Sequence, residues 1–321
     1  MRSRRGVRAG AIAAFVVIVL GVAAGAEEID QILGPLRLKG RHPTMMGPYI
    51  STTVQFDRPG WIRSFGVRLL DADQRPSPDN TVFCHAVFRA PPTAISLGGE
   101  DYQFGNNLPL TSGQDTIAFP AGFGFHVDTT SLYVVEAMLQ SPYDSIDARY
   151  YFKVAFDFVP DAERVPLRPL YHVSVRIGPQ ERFSRRGRSR RDAKQMAPSA
   201  REDLMHMWWV PPGRHEYRTR FSLPASGRVH FATVHIHRYG VAYTLRDVAT
   251  GRVLMTGRPK EGSQREMLEV PVYSDKTGLL LKKDADYEFS VAYDNPLKEN
   301  VSAMGTLHLF FDAIDGAASK N

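Results

Sequence analysis

Downstream of residue 26, apolar and polar residues alternate with a period of two in run after run, and no long stretch carries a period of 3.6. In an extended chain that alternation sends successive side chains to opposite faces, so each run reads as a strand with one face turned to a core. The runs, rich in β-branched and aromatic residues, fall at 53–56, 61–69, 82–88, 133–139 and 150–158. They return at 217–223, 229–237, 242–246, 287–293 and 306–311. Proline, glycine, asparagine and aspartate punctuate them at 57–60, 76–80, 211–213, 226–227 and 250–251, as strand-to-strand turns require. The predicted fold class is all-β: two tandem antiparallel β-sandwich domains, jelly-roll-like, after an N-terminal signal segment.

The 321 residues suffice for two ordinary domains. The division falls at 181–203, where eight Arg and Lys against four acids and almost no apolar periodicity predict a flexible, self-repelling linker. The expected organisation is a leader at 1–26, an N-terminal sandwich at 27–180, the basic linker at 181–203, a C-terminal sandwich at 204–315 and a tail at 316–321. In the leader, Arg2, Arg4, Arg5 and Arg8 precede an apolar run from residue 11 to 24 and a small-residue stretch, Ala24-Gly25-Ala26. That is the layout of a signal peptide, or of an N-terminal anchor if uncleaved. The expected location is therefore outside the cytoplasm, periplasmic or extracellular, with membrane contact only through an uncleaved leader.

The formal charge of +6 comes from these two basic segments; the rest of the chain holds 28 basic and 30 acidic residues. With no basic folded face predicted, nucleic acid is excluded as a partner. Cys84 is the one cysteine, so no intramolecular disulfide forms and any metal relies mainly on His, Met and carboxylates.

The sharpest local feature is Val234-His235-Ile236-His237. Residues i and i+2 of a strand share a face about 7 Å apart, so the two imidazoles can converge on one ion while Ile236 points into the core. A methionine, Met304, opens the last predicted strand. Two neutral imidazoles and a thioether form a soft set suited to Cu(I).

On these residues the chain resembles the copper type II, ascorbate-dependent monooxygenases, the family of peptidylglycine α-hydroxylating and dopamine β-monooxygenases. The matching features are His235-Ile-His237 followed by Gly240, Tyr293-Asp-Asn295, and Met304 at 67 residues beyond His237. In the first half they are Trp61-Ile-Arg-Ser-Phe65, Cys84-His85-Ala-Val87 and Phe119-Pro-Ala-Gly-Phe-Gly124. The resemblance spans most of 45–312 and implies one copper at His235, His237 and Met304.

Three departures qualify what it implies. The family's electron-transfer copper uses adjacent histidines and a third one strand later; here those positions hold Cys84, His85 and Met138. That site is either lost or has become a soft Cys/His/Met site. The arginine that clamps a peptidyl-glycine carboxylate is replaced by Thr233, and the pocket positions after the methionine are Thr306 and His308. Peptide amidation is therefore not expected. The predicted function is copper-dependent hydroxylation of another small-molecule substrate, with an ascorbate-like reductant. The alternative is a non-catalytic copper-binding protein of the cell envelope for handling, delivery or sensing, served by a copper-donor protein. A metal-free sandwich for adhesion or assembly is a third reading. His42 with Met45 and Met46 forms a minor Met-rich patch, and His230, five residues before His235, is expected to face away from it in an unbroken strand.

Overall fold

The computed structural model describes residues 14–18, 27–40, 47–91, 107–141, 145–178, 207–223, 225–263 and 266–313. All ten predicted runs are strands, with ends shifted by a few residues, and the architecture is all-β. The predicted linker, the C-terminal tail and the His42–Met46 patch lie outside the described residues. Within the leader, Ala14–Ile18 runs as a strand parallel to Tyr49–Phe56. Among the described residues no helix is long and apolar enough to cross a membrane.

Two sheets face each other in the first half. One is ordered Ala14–Ile18, Tyr49–Phe56, Tyr133–Leu139, Phe83–Arg89, Asn107–Thr111. The other runs Arg168–Pro169, Phe123–Val127, Gly60–Leu70, Asp147–Pro160, Glu27–Lys39. Alternate residues of Tyr49–Phe56 and Asp147–Pro160 are buried, as the period-two pattern requires. Phe56 and Phe88 from the first sheet meet Phe65, Phe156 and Phe158 from the second, Phe56 and Phe158 stacking at 5.5 Å between ring centroids. Such pairs add about 0.5–1.5 kcal/mol each beyond the area they bury.

The second half repeats the plan. One sheet is ordered Tyr171–Arg176, Gly305–Ala313, Gly227–Ile236, Tyr273–Leu281, the other Gly213–Phe221, Tyr287–Asn295, Gly240–Asp247, Val253–Gly257. Tyr171–Arg176 pairs along its whole length with Gly305–Ala313. The chain thus joins the second half's sheet from Tyr171 onward, ahead of the basic segment and of residue 204. The apolar side of Tyr171–Arg176 explains the shift: Val173 and Val175 join the core of the second half.

The two central strands of the sheet that carries His235 are buried on both faces, and this property governs the molecule. Gly227–Ile236 has nine buried residues in ten. Val234, Ile236, Leu307, Leu309 and Phe311 fill the second core. On the opposite face, Phe231 and Phe310 are part of the aromatic core of the first half, with Phe119 at 6.0 and 5.3 Å from them. Thr233 donates to the Gln114 side-chain oxygen at 3.1 Å, and Arg168 pairs with Asp312. The loop at Gly113 has φ +82 and accepts a hydrogen bond from the Val270 N–H. A Cβ at Gly113 would approach Met267 Cβ to 3.0 Å, so glycine permits this close docking.

Phe310→Ala should remove packing from both halves at once. The expected loss is about 3–5 kcal/mol, the usual cost of a deleted buried phenylalanine, read by urea unfolding. A loss under about 1 kcal/mol would mean that the halves do not depend on this contact.

Candidate metal centre between the two sandwiches

Ladder registers fix which side chains can meet. Gly227–Ile236 and Gly305–Ala313 pair Thr233 with His308, His235 with Thr306 and Ile236 with Gly305. The ladder ends there: His237 and Met304 lie just beyond the two strands. Directly opposed residues of an antiparallel pair share a face, so Thr233, His235, Thr306 and His308 lie on the side turned to the first half. The Tyr293 hydroxyl locks this end of the ladder: it accepts from the backbone N–H of His237 at 3.1 Å and of Met304 at 3.2 Å, and donates to the Met304 carbonyl at 2.5 Å. Just after His237 the chain turns, with Gly240 N–H bonded to the His237 carbonyl. A Cβ at Gly240 would come within 2.4 Å of the Ile236 side chain, so the turn needs glycine.

The first half contributes His85. Its ring centroid lies 6.0 Å from that of His235, which is 5.2 Å from that of His237. Two imidazoles bound to one ion at about 2.0–2.1 Å place their centroids roughly 5–6.5 Å apart, a spacing that each pair has when taken by itself. A β-bulge at Cys84 interrupts the pairing of Phe83–Arg89 with Tyr133–Leu139. Bulges redirect side chains, and here Cys84 Sγ sits 3.4 Å from His85 Nδ1. Met138 is paired directly across from His85 and is buried. The two ligand sets separated in the sequence therefore converge on one region. Among the described residues, no group of three or more His, Cys, Asp or Glu side chains could hold a metal ion.

His235 and His237 are held neutral. His235 lies well below the ordinary imidazole value, through burial first and then the neighbouring His237, His85, His308 and Arg176. Burial and His85 bring His237 down to about 4, against a hydrogen bond to the Ser302 backbone. His237 Nδ1 is buried without a hydrogen-bond partner, so by elimination Nε2–H donates to Ser302. Burying such an orphaned nitrogen costs about 1–3 kcal/mol. One ring nitrogen fixed by a backbone carbonyl and the other presenting a bare lone pair is the tautomer a metal ligand needs. The observation fits a soft ion held by His237 and His235.

A narrow cleft of about 10 Å³, room for little more than one water and partly open to solvent, borders this pair; Cys84, Gln140, His235, His237, Arg238 and Met267 are among its walls. Met267 belongs to the short Lys260–Glu261/Met267–Glu269 hairpin that docks on the Gly113 turn. Its alternation is too short to mark it in the sequence. Met304 is 3% exposed and outside the cleft wall.

The residues read from the sequence as a substrate pocket occupy a different setting. Thr233 is fully buried against Gln114, Thr306 is buried, and His308 bonds His172 at 2.9 Å between ring nitrogens. All three are sealed under the first half, because the polar face of their sheet is an interface. His308, like His235, is held well below the ordinary value by burial, then by His172 and Arg176. His230 also departs from expectation. A bulge between Val229 and Phe231 breaks the alternation, and the His230 ring packs on Phe123 of the first half at 3.9 Å.

Two predictions follow from this geometry. Unfolded histidines titrate near 6.5, whereas folded His237 does so at about 4. Between these values the unfolded chain binds the extra proton, so stability is complete above pH 6.5 and falls as pH drops toward 4. The metal-free protein should lose on the order of 2–3 kcal/mol through His237 alone, with His235 and His308 adding to it; urea midpoints that stay flat from pH 7 to 4.5 would contradict the burial. Separately, Tyr293→Phe strands two backbone N–H groups and a carbonyl, and should cost about 1–3 kcal/mol in thermal unfolding.

No family model matches the chain, and no curated protein matches it. Solved structures give a likeness of architecture only. The major capsid protein P2 from bacteriophage PM2 aligns over 90% of this chain and 100% of its own at 11% identity and a TM-score of 0.34. PNGase F, a glycosylasparaginase from Flavobacterium meningosepticum, aligns over 89% of this chain and 96% of its own at 8% identity and 0.35. At such scores neither bears on what this chain does.

Proposed function

We propose that this chain is an exported copper-binding protein of the cell envelope, which holds one Cu(I) beside His235 and His237, with Met304 as the third donor. The observation that carries the reading is the buried, unpartnered Nδ1 of His237 next to a second neutral imidazole. Soft donors and neutral rings favour Cu(I) over hard divalent ions. Copper held there supplies one-electron chemistry. The chain's own residues do the rest: Ser302 orients His237, Tyr293 fixes the spacing of the two ligand-bearing strands, and burial keeps both rings unprotonated down to mildly acidic pH.

A role in handling copper is favoured over hydroxylation. A hydroxylase needs room beside the metal for a substrate, and Thr233, Thr306 and His308 are buried against the first half. The short distance between the His85 and His235 rings, 6.0 Å between centroids, speaks against a donor centre held well apart from the His235–His237 pair.

The test is anaerobic loading with Cu(I) followed by desalting and metal analysis. One equivalent should be retained. His235→Ala and His237→Ala should each weaken retention at least tenfold in competition with a Cu(I) chelator, and Met304→Leu should weaken it too. Retention unchanged by the paired histidine substitutions would sink the proposal. Reductant-dependent oxygen uptake that disappears in His235→Ala would instead favour the hydroxylase.

A further inference from the structure

We propose that a bound proton latches the two sandwiches together. His230 stands at their seam as an imidazolium between Asp312 and the Asp275 carbonyl, and Phe123 and Arg168 of the first half dock on that charged pair. Loss of the proton loosens the docking. None of these residues is a ligand in the copper reading.

The hydrogen bonds around His230 leave one place unfilled. The residue is 1% exposed, and its Nδ1 lies 3.0 Å from the Asp275 carbonyl oxygen. A carbonyl only accepts, so Nδ1 carries a proton. Nε2 then faces Asp312 Oδ1 at 3.5 Å, and both atoms are buried without a hydrogen-bond partner. In a neutral ring Nε2 is a bare acceptor, so two lone pairs confront each other away from water, which is costly. A proton on Nε2 turns the same contact into an ion pair with the carboxylate. Arg168 donates to the other oxygen, Oδ2, at 2.9 Å, and so pairs a cation with the carboxylate form of Asp312.

The first half meets that charge directly. The Phe123 ring packs on the His230 ring at 3.9 Å between centroids, and the Arg168 guanidinium lies 4.5 Å from the Phe123 centroid. An aromatic face attracts cations, so a charged imidazole strengthens this contact across the seam. On the other side a Cβ at Gly278, which has φ +74, would come within 2.7 Å of the ring, so the imidazole is held in place against Asp312. The remaining charges nearby are Arg228 and the Asp275 carboxylate. Arg228 donates to the Thr277 and Gly278 carbonyls. The Thr277 and Gly278 N–H groups donate to the Asp275 carboxylate and hold it below its ordinary value, and the His230 charge adds to that.

The intact chain without added metal is the sample. Long-range proton–nitrogen NMR of the histidine rings at pH 7, assigned through the His230 side-chain carbons, should show protons on both His230 nitrogens. Raising the pH until the Nε2 proton leaves should lower the urea midpoint, because the latched state binds one proton more than the opened one. This fall lies on the alkaline side, opposite to the acid loss carried by His237. His230→Gln should lower the midpoint at pH 7 and remove at least half of the alkaline fall, and Asp312→Asn should do the same. A wild-type His230 ring with one bare nitrogen at pH 7 overturns the proposal, whether or not the variants fold. An alkaline fall of undiminished size in His230→Gln overturns it as well.

Discussion

The structure depends on burying a polar sheet face between two sandwiches. Thr233, His235, Thr306 and His308 are sheltered from water by the first half, with Phe231 and Phe310 driven into its core. Apolar contact provides the driving force, and each buried polar group then needs a partner or a neutral state. Thr233 finds Gln114, His308 finds His172, and His235 and His237 stay unprotonated. His237 keeps one nitrogen without a hydrogen-bond partner, as do His230 Nε2 and Asp312 Oδ1, and these unmet demands give the interface a chemical character beyond packing.

The two bulges belong to the same arrangement. In a regular strand Cys84 and His85 would face opposite ways, as would His230 and Phe231. Each bulge inserts a residue and bends its strand, and both lie where the sandwiches meet. Local loss of ladder regularity thereby directs more side chains into the interface than alternation allows. Gly113 and Gly240 act similarly at the turns, where a Cβ would obstruct the docking or the tight return of the chain.

Much was legible from residue order alone. Period-two alternation located ten strands and the all-β class, and the i, i+2 rule put His235 and His237 side by side, their ring centroids 5.2 Å apart, with Ile236 in the core. Those properties depend on the backbone's own repeat and need no partner. What lay opposite that face was decided only by tertiary structure. A strand with Thr and His on one side reads as half-exposed, yet here the polar side is covered, so Thr233, Thr306 and His308 became interface and not pocket. The meeting of His85 with His235, separated by 150 residues, the arrival of Met267 beside Cys84, and the passage of Tyr171–Arg176 into the second sheet follow from sheet docking and strand order. Alternation fixes where each side chain points along its own strand; it carries no information about which other sheet will be packed there.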